Sequence, residues 1–262
     1  MNLIKMNLNK TNLFDTNLFN KIVMLVLLLS TSFSALASLD KPVSGKEYQV
    51  LAKAQPTDSK DKVEVIEFFF YTCPHCNVLD PYLSAWVKKQ GSAISFKRVP
   101  VVFSGDKRLE ILAKMYYTLE AMGKLDAVHP KIFEAIHVKR LPLSDDTQIF
   151  NFVAANGVDK KKFEEIYNSF STPLKLKRAQ ALQNTYNVDS VPMLIVDGRY
   201  MTSPGLIMQT NPSLTEAQSE QGLMQVLSTL VSKVEKERKT APAPKETKAV
   251  TKEVTKEQPV KK

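Results

Sequence analysis

Cysteine is almost missing from this chain: its 262 residues hold two, Cys73 and Cys76, and both fall in one stretch at 68–80, FFFYTCPHCNVLD. One pair cannot make a disulfide framework, so the fold must rest on a packed core rather than on cross-links. Histidine is nearly as scarce. Of the three present only His75 adjoins the cysteines, while His129 and His137 fall far along the chain, too few ligands for a four-coordinate zinc site. Covalent haem attachment needs His directly after the second cysteine, and position 77 is Asn. Long apolar runs are lacking too: Ile22–Leu29 falls short of the roughly 18 residues a bilayer span requires. The net charge is +9, but no basic helix or aromatic–basic strip accompanies it, so nucleic acid is not an expected partner.

The two ends stand apart from the rest. Lys5, Lys10 and Lys21 precede the apolar run, and Ala35-Leu36-Ala37 supplies small residues where a signal peptidase reads, so residues 1–37 are expected to be an export signal cleaved after Ala37. No cysteine stands at that point, which excludes a lipoprotein. An Asn-Leu pair recurring at 2, 7, 12 and 17 is read as low complexity. At the other end, residues 240–262 are Lys, Glu, Thr, Pro, Ala, Val and Gln with no aromatic, Leu or Ile, a composition that cannot offset its ordering entropy and is expected to stay disordered.

Between them Val63–Tyr71, interrupted only by Glu64 and Glu67, predicts a central strand buried on both faces. Pro74 suits the first turn of a helix, which is expected to run to about Lys89, kink at Pro81 and stop at Gly91; a strand follows over Ala93–Val99. From about Gly105 to Phe170 only helical periods occur, with Ser144 as an expected N-cap. A helix over Leu174–Tyr186 leads to Val191–Val196, an Asp197-Gly198 turn and Arg199–Met201, read as a hairpin, then a last helix over Leu214–Lys236. The order predicts an α/β fold whose sheet is interrupted by an all-helical insertion: 38–104 and 173–239 in one unit, 105–172 in the other.

The spacing of Cys73-Pro74-His75-Cys76 puts Cys73 at a helix N-terminus, where free N–H groups and the macrodipole favour a thiolate over a thiol. Cys76 lies one turn deeper, in reach of Cys73 for a disulfide. A ring this small constrains the unfolded chain little, which argues against a purely structural cross-link. His75 between them would further stabilise the Cys73 thiolate, and a stabilised reduced form makes the disulfide the stronger oxidant. Glu67, a carboxylate within a doubly buried strand, needs a partner, and Lys97 on the next strand is expected to reach it. His129 and His137 are expected on helix surfaces. Phe68, Phe69, Phe70, Phe96 and Trp86 are expected in the core, and Tyr71, Pro74, Val191 and Pro204 around an apolar groove.

These residues resemble the DsbA family of periplasmic thiol:disulfide oxidoreductases, a branch of the thioredoxin fold with a helical insertion. The likeness rests on Phe68–Cys76 with its CPHC tetrad, Glu67 six residues before the first cysteine, Pro81 five after the second, Phe96–Phe103, Tyr167–Phe170 and Val191-Pro192, within roughly Gly45–Lys236. It implies a cis Pro192 that packs against the Cys73–Cys76 disulfide and presents backbone to a peptide, Val191 tuning the potential, and Glu67 as proton acceptor for Cys76. Pro74, His75 and Lys97 complete the implied catalytic set. The substrates would be unfolded or partly folded secreted proteins with cysteine pairs. The oxidant would be a quinone-linked, DsbB-like membrane reoxidase, and no metal or other cofactor is implied. A monomer is expected, and the 25 or so residues between Ser38 and the first strand leave no room for the dimerisation region an isomerase usually has. A reductant or isomerase, or a chaperone using the groove alone, stands as the alternative.

Overall fold

The computed structural model describes Leu39, residues 41–103 and residues 105–240. The expected export signal, and the expected tail apart from Thr240, lie outside the described residues. Five strands form one sheet: β1 (Gln49–Val50), β2 (Val63–Phe69), β3 (Ile94–Pro100), β4 (Met193–Val196) and β5 (Tyr200–Thr202), in the order β1-β5-β4-β2-β3. Among the described strands only β2 and β3 run parallel, joined by α1 (Pro74–Gln90) and a short 3-10 turn. The other pairings are antiparallel.

Every residue of β2 is buried, as its near-continuous apolar sequence requires of a strand covered on both faces. Alternation then sorts its side chains. Val63 and Val65 meet Leu79, Leu83 and Trp86 of α1 and Val226, Leu227 and Leu230 of the last helix, α8 (Glu216–Thr240). Ile66 and Phe68 face the second core, built on α2 (Lys107–Ala121) and α3 (Leu125–His137) through Leu112, Met115, Ile132 and Phe133. Burying each such side chain stabilises by about 1.5–3 kcal/mol before entropy is counted. The helical block continues through α4 (Asp146–Ala155) and α5 (Lys160–Tyr167), and α6 (Ser171–Thr185) leads back to the sheet.

Local chemistry explains most boundaries. Pro74 begins α1, where its missing N–H costs nothing, and Gly91 caps it at φ 55°. Asp106, Asp145 and Asp159 cap α2, α4 and α5 through their side chains. The expected cap at Ser144 is thus one residue early: Asp145 accepts from the Gln148 N–H at 2.8 Å, and Ser144 donates its own N–H to Gln148 Oε1. In the β4–β5 turn Asp197 and Gly198 both have positive φ, as the favoured two-residue hairpin turns demand. The last helix runs to Thr240, four residues past the expected Lys236. Two elements were not foreseen, β1 and α7 (Pro204–Thr210), both too short to show a period.

Candidate active site

The N-terminus of α1 is capped by a sulfur. Cys73 has extended backbone dihedrals, as an N-cap needs, and its Sγ accepts the backbone N–H of Cys76 at 3.2 Å. Both cysteines are thiols and both are buried, Cys76 completely and Cys73 to 5% exposure. The side chain of Cys76 and the N–H groups of Cys76 and His75 stabilise the anion, the charge of His75 adds to them, and together they outweigh burial: the Cys73 thiol is pulled down to about 7. Cys76 goes the other way. Burial first, then the adjacent Cys73 sulfur and the Glu67 charge, push its thiol far above the ordinary range. One sulfur therefore ionises near neutrality while the other holds its proton.

Against this pair lies the start of β4. The Val191–Pro192 peptide bond is cis, as the family likeness implies, and the Val191 carbonyl stands 3.6 Å from Cys73 Sγ. Pro192 is buried and Val191 half-buried. His75 is exposed and its Nδ1 lies 3.1 Å from Glu216 Oε1 at the start of α8. Of the four residues expected around an apolar groove, Val191 and Pro204 line a groove of about 180 Å³ beside His75. Pro74 is exposed at the helix start. Tyr71 is not on the surface: it is 1% exposed, its ring packed edge-on against Phe69 and Phe133.

Beneath the cysteines the expected Glu67–Lys97 pair does not form. Glu67 lies opposite Arg98 in the β2–β3 register and bonds to it, Oε2 accepting from Nε at 2.8 Å. Lys97 sits on the other face of β3 and instead bonds Asp58 at 2.7 Å and Glu64 at 3.2 Å. Period-two alternation makes the choice: neighbouring positions on a strand point to opposite sides of the sheet. Burial raises Glu67 against the pull of Arg98, with Asp80 and Cys73 adding to the rise, and holds its carboxyl at about 7.

Arg98 also donates to Asp80 Oδ1 and Ser84 Oγ, each at 2.9 Å, and stacks on Phe96. Asp80 in turn meets His129, whose Nε2 lies 3.3 Å from Oδ1 but off the line of a hydrogen bond. The Tyr71 hydroxyl closes the series on His129 Nδ1 at 2.7 Å. Burial opposes ionisation of Asp80, yet His129, Arg98 and Ser84 together hold its carboxyl below the usual range. Burial pushes His129 down, toward the neutral imidazole that can accept from Tyr71. The expected surface position of His129 is therefore wrong: it is 3% exposed, because α3 turns that face onto Phe69, Tyr71 and Tyr116. His137 is partly buried and contacts the Tyr71 carbonyl through Nε2 at 2.8 Å. Of the residues that sequence reasoning missed, Asp80 carried a signal. It follows Cys76 by four on one helix, the spacing that shares a face.

A parallel–antiparallel mixed sheet, a buried dithiol on a helix N-terminus and a cis-proline beside it define a thiol–disulfide exchange protein of the thioredoxin fold. Residues 64–211 match the family model described as the DSBA-like thioredoxin domain. The thiol:disulfide interchange protein DsbA of Burkholderia cepacia is 42% identical over 219 residues, 82% of this chain and 98% of its own. That of Pseudomonas aeruginosa is 36% identical over 181 residues, 69% of this chain and 85% of its own. Its crystal structure superposes with a TM-score of 0.68 at 32% identity, covering 76% of this chain and 98% of that one. The chain belongs to the DsbA-like thioredoxin family.

Proposed function

We propose that this chain is an exported protein dithiol oxidase that introduces disulfide bonds into other proteins at Cys73 and Cys76. The observation that carries the reading is the opposite tuning of the two sulfurs. A Cys73 thiolate stabilised near neutrality makes Cys73 the better leaving group and the reduced enzyme the favoured product, so the Cys73–Cys76 disulfide gives its bond away.

The exchange proceeds in two displacements. A substrate thiolate attacks Cys73 Sγ of the oxidised pair; the Cys73–Cys76 bond breaks, a mixed disulfide forms at Cys73, and Cys76 leaves and takes up a proton. A second substrate thiolate then attacks the substrate sulfur of the mixed disulfide and expels Cys73 as thiolate. The substrate has lost two electrons and the enzyme has gained them. Glu67, held at about 7 beneath the site, is suited to give a proton to Cys76 on departure and to take it back when the pair is reoxidised. Pro74 fixes the first turn of α1, and His75 adds positive charge beside Cys73. Lys97, bound to Asp58 and Glu64 on the far face, takes no part in this scheme. Val191 and Pro192 would present backbone to the substrate chain, and the helical block over 105–172 would frame the thioredoxin-like unit.

The substrates are read as newly translocated proteins with cysteine pairs, met in the periplasm after removal of residues 1–37. A quinone-linked, DsbB-like membrane partner returns the enzyme to its disulfide. The test is the redox equilibrium of residues 38–262 in glutathione buffers of known poise, followed by thiol alkylation. Half-reduction in a strongly oxidising buffer is expected. Half-reduction only near the roughly −270 mV poise of thioredoxin would reverse the direction and make the protein a reductant.

A further inference from the structure

Two carboxylates beside the site have no work in the exchange chemistry. Glu216 and Glu220 lie one turn apart on α8 and both line the groove that holds Val191 and Pro192. Acidic residues near a helix start are usually explained by the helix itself. Here Thr215 and Gln218 already form a reciprocal cap, the Gln218 N–H donating to Thr215 Oγ1 at 3.3 Å and the Thr215 N–H to Gln218 Oε1 at 2.9 Å. Glu220 lies beyond that first turn. It is 1% exposed, and its buried Oε2 has no hydrogen-bond partner among the described residues. A carboxyl left so costs free energy unless a donor arrives from outside. Burial and the neighbouring Glu216 raise it to about 8, which again marks a site short of positive charge.

The walls around these acids are apolar: Pro192, Pro204 and Met208 line the same groove. A long side chain with a hydrocarbon stem and a cationic head matches that pattern, stem on the walls and head between the two acids, Glu220 releasing its proton to solvent as the cation arrives. The geometry points to a subsite for an arginine or lysine side chain of the substrate protein, held by Glu220 and Glu216 while a nearby cysteine meets Cys73. Val191 lines this groove and its carbonyl meets Cys73 Sγ at 3.6 Å, which sets the two within the reach of one bound segment. Glu216 joins by turning from His75, its present partner at 3.1 Å.

The inference rests on the oxidase reading, and the experiment separates the two. Oxidised full-chain protein is mixed with dithiol peptides carrying arginine at each position around the first cysteine in turn, each paired with a citrulline twin of the same shape and no charge. Dithiothreitol, which carries no cation, serves as the reference thiol. Arginine is expected to raise the oxidation rate about tenfold at one or two positions, the scale of a charge-assisted hydrogen bond at a partly open site. The arginine-to-citrulline ratio, which cancels any change in sulfur reactivity, should fall to near one in Glu220→Gln and drop several-fold in Glu216→Gln, a change at the exposed rim that spares the core. Equal rates for every pair with dithiothreitol oxidised normally would overturn the subsite and leave the oxidase standing, as would a ratio unchanged in both variants. No oxidation of dithiothreitol would remove both.

Discussion

Replacing Glu67 by Gln should change how stability depends on pH, and the size of the change follows from where the carboxyl sits. Glu67 titrates near 7 in the folded protein and near the ordinary glutamate value of 4.5 when unfolded. Below 4.5 both states carry the proton and the group has no effect. Between 4.5 and 7 the folded state binds more protons than the unfolded one, so stability falls as pH rises and levels off above the folded value. A gap of about 2.5 pH units corresponds to about 3 kcal/mol. Glu67→Gln keeps the shape and removes the titration, while Arg98 retains Asp80 and Ser84. Urea unfolding of the reduced proteins from pH 4 to 8 should therefore show the variant gaining on the parent by about 3 kcal/mol across that range, with other titrating groups cancelling in the difference. A difference that stays flat with pH would show that Glu67 is ionised throughout and that the proton-carrier role assigned to it is mistaken.

Three further outcomes are expected. The rate of Cys73 alkylation by iodoacetamide in the reduced protein should rise with pH through a single step near pH 7, with Cys76 unlabelled over the same range; a midpoint at the ordinary thiol value would remove the basis for the oxidase direction. Tyr71→Phe strips the hydroxyl from buried His129 Nδ1 and should cost about 1–3 kcal/mol in chemical unfolding, whereas a neutral effect would mean that water replaces it. Gly198→Ala should destabilise by more than 1 kcal/mol, because the added methyl would stand 2.3 Å from the Gln55 carbonyl oxygen at a φ of +63°; an unchanged melting temperature would refute that close approach.

What the sequence made legible is what local chemistry decides. Pro74, Gly91 and the Asp197-Gly198 pair carry short-range signals for a helix start, a helix stop and a hairpin, and all three act so here. The CPHC spacing placed one sulfur on a helix cap without any tertiary knowledge. What stayed hidden was set by register and docking. Whether Lys97 or Arg98 meets Glu67 depends on how two strands slide past each other, and one residue of offset exchanges the faces. His129 was misplaced because part of its burial comes from Phe69 and Tyr71, which are distant in the chain, Tyr71 by 58 positions. Tyr71 sits between a strand and a helix, where neither period applies. The Glu220 carboxyl stands out by tertiary surroundings alone, since its Oε2 meets no donor among the described residues.

The series from Glu67 through Arg98, Asp80 and His129 to Tyr71 crosses the boundary between the sheet unit and the helical block. For protein engineering this makes the block a poor candidate for exchange. A chimera that took residues 105–172 from a relative without a histidine at the position of His129 would strand the Tyr71 hydroxyl and loosen Asp80, and the disturbance would reach the acid under Cys76 through Arg98. Helices outside the sheet unit would then alter the pH profile of disulfide exchange, and a graft designed only to match shape at the seam would inherit a different redox enzyme.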